Sequence, residues 1–240
     1  MNGTVADRSD GDILAIKGSD RYKTVDELVK KSQPNSVYYT LLLLSALIIT
    51  AGILVNNAAI VIGGMLVAPV LTPVLLISLG ITSGELMSIK NALYLVAKSS
   101  GIIILSGVVL AFLFKGSDQL SFVVDDSVRT AALYFLVALA AGAAGTFAWA
   151  RKDVIDIMPG VVIAVSLVPP LSLIGIGIST FDFGLARFNF LIFVFNLLGI
   201  LAGSLVVFSL LQFYKTKNQV REKVMEAEQS HNHHKEPETL

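Results

Sequence analysis

Asn56–Ile81, NNAAIVIGGMLVAPVLTPVLLISLGI, is apolar and long enough to cross a bilayer, yet it carries two prolines four residues apart near its middle. A proline inside a helix removes a backbone donor and clashes with the carbonyl four residues earlier. On that rule Pro69 frees the carbonyl of Met65, and Pro73 frees that of Pro69. In hydrocarbon a freed carbonyl is costly unless protein or a water-filled cavity satisfies it. The same device returns about one hundred residues later in Asp156–Ser179, DIMPGVVIAVSLVPPLSLIGIGIS, with Pro169 and Pro170. Two broken spans at matching places in two halves of a chain point to a site between them.

Around these two stretches the chain has 240 residues, of which 54% are hydrophobic and 15% charged. A soluble domain carries about 25% charged residues, and the deficit here falls in long uncharged runs, which decides for a membrane protein. With 18 basic and 18 acidic residues the total charge favours neither nucleic acid nor an anionic partner. There is no cysteine, so disulfides and thiolate metal sites are excluded. The first 36 residues mix Asp, Lys and Arg with no apolar run, so no cleavable signal peptide is expected.

Six apolar segments of about span length follow a polar lead-in: 38–55, 58–81, 91–114, 130–150, 156–179 and 188–213. Tyr38, Tyr39, Tyr134, Trp149 and Tyr214 stand near their ends, as expected of interfacial aromatics. With six crossings, one side receives Lys17, Arg21, Lys23, Lys30, Lys31, Lys90, Arg151, Lys152, Lys215, Lys217, Arg221 and Lys223. The other side receives only Lys115, Arg129 and Arg187. The positive-inside rule therefore places both termini in the cytoplasm. Residues 1–37 form a cytoplasmic polar segment, with a capping box at Thr24–Glu27 starting a short helix that ends near Pro34. That helix either lies on the membrane or is a solvated lead-in. Residues 215–240 form a charged tail that continues the last span with Val220 and Val224 on one face and ends in disorder. Its His231, His233 and His234 lack an acidic or Cys partner at ligand spacing, so no metal and no cofactor is expected.

The chain also contains an internal repeat. At a shift of 100 the fifth segment lays Pro169 on Pro69, Ser172 on Thr72 and Asp156 on Asn56. At 98 the sixth lays Gly199 on Gly101 and Asn196 on Lys98, and the fourth falls on the first at 93. The expected fold is an all-α integral membrane protein of six helices in two three-helix repeats, 38–114 and 130–213, whose second and fifth helices are broken at proline. Three is an odd number of crossings, so the repeats enter the membrane from opposite sides and are inverted.

The motifs Ile62-Gly63-Gly64-Met65-Leu66 with Pro69 and Pro73, Pro159-Gly160 with Ile163-Ala164 and Leu167–Leu171, and Asn196 in the last span resemble the prokaryotic membrane family called domain of unknown function 389. Phe195 stands where that family often has Thr. The resemblance covers about residues 37–214. It implies an integral membrane protein, with transport inferred for the family and no substrate named; a prokaryotic inner membrane is the expected location.

Candidate site residues follow from the breaks. Met65, Pro69, Pro73, Pro169 and Pro170 either expose carbonyls to a solute or ion, or kink their helices for packing. Thr72, Ser166 and Ser172 flank the breaks, and their hydroxyls either complete an oxygen shell of the kind hard cations prefer or bond back to their own helices. Asn56 and Asp156 open their spans, either as helix caps or, for Asp156, as a carboxylate in a cavity. Lys98 lies inside the third span and either snorkels to the interface or lines a path with Asn196. The glycines of the fourth span and Gly63-Gly64 allow close helix approach, and with it a homo-oligomer. No nucleophile and base stand at matched depth, so no enzyme is expected. The leading function is a secondary transporter or channel for a small solute or ion, with its site at the midplane. The alternative is a membrane scaffold or sensor that binds a partner or anionic lipid at its cytoplasmic face.

Overall fold

Each apolar run folds as helix, because a chain in hydrocarbon must satisfy its own backbone donors and acceptors. The computed structural model describes Ile16 and residues 18–114, 128–165 and 167–233. The predicted site residue Ser166 and His234 lie outside these limits, as does Lys115. Ten helices follow in order: α1 (Gly18–Lys31), α2 (Ser36–Leu54), α3 (Ala58–Val67), α4 (Leu71–Ser83), α5 (Leu86–Leu113), α6 (Val128–Ala150), α7 (Met158–Val165), α8 (Val168–Thr180), α9 (Phe183–Leu210) and α10 (Lys217–His233). Tight 3-10 turns at Lys152–Ile157 and Phe213–Thr216 lead into α7 and α10. The described residues contain no strand.

This is a multi-pass membrane protein. Helices α2, α5, α6 and α9 are each long and apolar enough to span, and so is the run Val154–Thr180 through α7 and α8. Helices α3 and α4 qualify only together, bent by 52° at the break between them. Among the described residues, five spans are long and apolar enough to cross, or six when the bent pair is one span.

The prolines behave differently from the interior kinks that the sequence implies. Pro73 lies in the first turn of α4, and Pro169 and Pro170 in the first turn of α8. A first-turn N–H has no helical acceptor anyway, so proline starts a helix there at no hydrogen-bond cost. Only Pro69 sits in a break, between α3 and α4.

Element boundaries recur at a single shift of 97 residues. Leu71–Ser83 maps onto Val168–Thr180, and Leu86–Leu113 onto Phe183–Leu210, end for end. The turn between them recurs as well. Gly84 at φ 72 donates to the carbonyl of Ile81 at 3.3 Å, and Phe181 at φ 59 donates to that of Ile178 at 3.3 Å. Glu85 N donates to Gly80 O at 2.9 Å and Asp182 N to Gly177 O at 2.8 Å. Each acid then caps the next helix. This register corrects the shifts of 100 and 98: Pro170 falls on Pro73, and Asn196 on Ser99 instead of Lys98.

Helix α2 runs beside α5, where the Tyr38 and Ser99 hydroxyls meet at 2.9 Å. Helix α6 runs beside α9, with Phe135 edge-on to Phe195 and Ser204 Oγ donating to Gly142 O at 3.3 Å. The two halves interlock by exchange. Helix α4 crosses α9 where Ser78 Oγ donates to Leu201 O at 3.5 Å, and α8 crosses α5 where Gly175 lies on the backbone of Ile104. Those two crossings are equivalent under the same shift. Gly64 and Gly142 allow the close approach expected of them, to Ile49 and Ile200 of the same chain.

The flanks do more than lead in and trail off. Helix α1 buries Val25 and Leu28 completely and packs on α10, α4 and α6. Thr24 Oγ1 contacts the carbonyl of Trp149 at 3.4 Å, and Lys31 Nζ sits 4.8 Å over the Trp149 ring. Val220 and Val224 of α10 are buried, as their shared face predicts, although a left-handed Gln212 (φ 61) separates α10 from α9.

Candidate functional site at the meeting of two broken spans

The two breaks meet. Between them lies a cavity of about 20 Å³, lined by Met65, Ala68, Val70 and Leu71 from the first broken span. Val162, Val165, Leu167 and Val168 close it from the second. These eight residues are four pairs related by the 97-residue shift: Met65 with Val162, Ala68 with Val165, Val70 with Leu167, and Leu71 with Val168. Equivalent positions of the two broken spans thus line the cavity together. Every lining side chain is apolar, and the volume is that of about one water molecule.

The carbonyls that break the helices are satisfied. Ala68 N reaches Met65 O at 3.3 Å, and Thr72 Oγ1 donates to Pro69 O at 3.2 Å. The tightened turn at Ala68 leaves Gly64 O without its own-helix partner, and Ser45 Oγ of α2 donates to it at 2.9 Å. Both carbonyls predicted to be free thus have donors. Ser45 was not among the residues the sequence singled out; a serine centred in an apolar span, facing a glycine pair, is the signal that would have found it.

Of the predicted site residues, Met65 lines the junction and Pro69 lies half-buried in its break. Thr72 and Pro73 are buried just past it, and Thr72 Oγ1 also touches Lys31 O at 3.3 Å, tying the break to the end of α1. In the partner break Pro169 is half-buried and Pro170 buried. Ser172 is fully buried and its hydroxyl has no hydrogen-bond partner, a costly state for a polar group. Asn196 is buried in α9 and engaged. Three predicted residues are elsewhere. Asn56 is exposed at φ 50 in the α2–α3 turn, where the next residue, Asn57, caps α3 through Ala59 N at 3.0 Å. Asp156 is exposed in the turn before α7 and does not line the junction. Lys98 is exposed with its ammonium 4.6 Å over the Tyr39 ring, beside the α2 start.

Comparison with known proteins agrees with the motifs. No solved structure matches the chain. An uncharacterised protein of Methanocaldococcus jannaschii is 28% identical over 189 residues, which is 78% of this chain and 57% of the relative. The chain thus spans little more than half the length of that relative. The profile of one family covers residues 65–202, from the first break to the inner part of α9. The chain belongs to that family, described as Domain of unknown function (DUF389).

Proposed function

We propose that this protein moves a small solute or ion across a membrane, as a secondary transporter or channel whose gate is the apolar junction between the breaks. The observation that carries this reading is the exchange of the eight junction residues in pairs by one sequence shift. Six crossings divided into two halves of three give inverted repeats, and a two-fold axis in the membrane plane makes the junction the midplane. Rocking one half against the other would then open the junction to alternate sides. An apolar constriction of one-water size blocks ions by dewetting until it widens. Both termini lie in the cytoplasm of a prokaryotic inner membrane on this reading, following the Lys and Arg distribution.

One observation favours a second reading, the scaffold or sensor: the junction is dry-walled and its freed carbonyls already have donors. Labelling decides between them. The chain has no cysteine, so Val70→Cys and Leu167→Cys can be probed singly with a small water-soluble thiol reagent from either side. Asn56→Cys and Asp156→Cys, in exposed turns, are the controls for the two faces. Permeation predicts labelling at the junction that depends on side. Labelling of both controls and of neither junction position overturns it and leaves the scaffold.

A further inference from the structure

A second, much larger cavity lies away from the junction, at the end of the bundle that carries α1 and α10. It measures about 680 Å³, in the range of ordinary small-molecule sites, and is half open. Leu76 of α4, Leu95 of α5 and Val224 of α10 supply apolar wall. Two of its lining hydroxyls are anomalous. Ser32 and Ser88 are buried, Ser88 completely, and neither Oγ has a hydrogen-bond partner. Buried hydroxyls are nearly always satisfied, so both stand out, yet each Oγ is closed off from solvent and lies beneath the cavity wall. Among the described residues, Glu228 is the one charged group in the lining. Its carboxylate accepts from Asn91 Nδ2 at 2.6 Å and has no basic partner among the described residues.

We propose that this cleft binds a small organic cation with an apolar body, a protonated amine, between α5 and α10. The apolar walls take the body, and the Glu228 carboxylate pairs with the ammonium. An anion of the same shape meets a carboxylate and no compensating cation. The site is formed only when α10 is docked, since Val224, Ala227 and Glu228 all come from that helix. This inference stands apart from the permeation reading, because the cleft touches α4 at Leu76 and includes no junction residue.

The test uses the full chain in lipid nanodiscs, with Ala227→Cys or Tyr94→Cys as single reporters on the cleft rim. Phenethylamine, benzyl alcohol and phenylacetate serve as probes of similar size and different charge. The expected result is that phenethylamine slows thiol labelling of both reporters several-fold and phenylacetate does not. Glu228→Gln then lowers the apparent affinity for phenethylamine by about tenfold, as loss of a charge-assisted bond requires. Labelling unaffected by all three probes, or slowed equally by phenylacetate, overturns the proposal. So does a reporter that bilayer lipid alone already shields, since the cleft is then a lipid site.

Discussion

Adding one methyl group at Gly175 should pry the two halves apart, whereas the same change at Gly101 should tighten the protein. A Cβ at Gly175 would lie against Ile104 O and 2.9 Å from both Gly107 Cα and Val108 N. Ordinary carbon contacts need about 3.5–4.0 Å. All three obstacles are backbone of α5, which cannot rotate aside as a side chain can. Helices α8 and α5 must therefore separate, at a cost of about 1–3 kcal/mol for overpacking, against roughly 0.5–1 kcal/mol gained from replacing a helical glycine. At Gly101, which precedes Gly107 on α5, an added methyl would meet nothing within 4 Å, so only the gain applies. At about 2–4 °C per kcal/mol for a chain of this size, Gly175→Ala should lower the unfolding temperature by a few degrees and Gly101→Ala should raise it slightly. Thermal scans of the two purified variants in one detergent, beside the parent, make the comparison. Gly175→Ala as stable as the parent, or Gly101→Ala equally damaged, would refute the close crossing of α8 on α5.

Three further outcomes are expected. Ser45→Ala strands Gly64 O in the apolar interior and should destabilise by about 1–3 kcal/mol, read by thermal unfolding, while Thr40→Ala, which loses only a bond to its own helix, should stay near the parent. Phe181 is 77% exposed yet held at φ 59, so Phe181→Gly should relieve roughly 1 kcal/mol and raise the unfolding temperature; no gain would mean that the ring contributes more than the backbone strain. The Lys223 ammonium is held above its ordinary range by its bond to Glu226 and then by Tyr22, and it also lies 3.7 Å from Asp26 on α1. A raised cationic pKa stabilises fully below the unfolded value of about 10.4, and that stability is lost as pH rises on through the higher folded value. Spin labels on α1 and α10 should keep a fixed separation through the ordinary lysine range and drift apart only at pH above it, where the Lys223 ammonium is at last lost, and Lys223→Met should abolish the transition.

Much of the bundle was readable because a span needs an unbroken apolar run, and such runs are visible without any partner. The breaks were readable too, since paired prolines in an apolar run have few uses. Their exact role was not. Val70 and Leu167, which precede α4 and α8, make no side-chain cap, so nothing in the sequence marks a new helix there. Without that start, Pro73 and Pro170 look like interior kinks. The repeat register slipped by one to three residues for a related reason: Leu, Val and Ile match one another at several shifts, and only the helix ends distinguish them. The docking of α1 was hidden by its charges, because Val25 and Leu28 form a narrow face that matters once α4 and α10 close over it. The cleft at Ser32, Ser88 and Glu228 draws on segments almost two hundred residues apart, and no local pattern announces it.

The covering of α4 has a consequence for how the protein is made. Helix α4 is shielded by α1 from one end of the chain and by the Phe213–Thr216 turn and α10 from the other. Its first neighbours are synthesised before it and its last ones roughly 130 residues after it. During translation α4 therefore gains the last of its neighbours only when the residues after α9 have emerged. The equivalent helix α8 packs chiefly on α5, α9 and α2, two of them already made when it appears. Two segments of like design thus mature on different schedules, and α4 is the one whose burial depends on residues that follow α9.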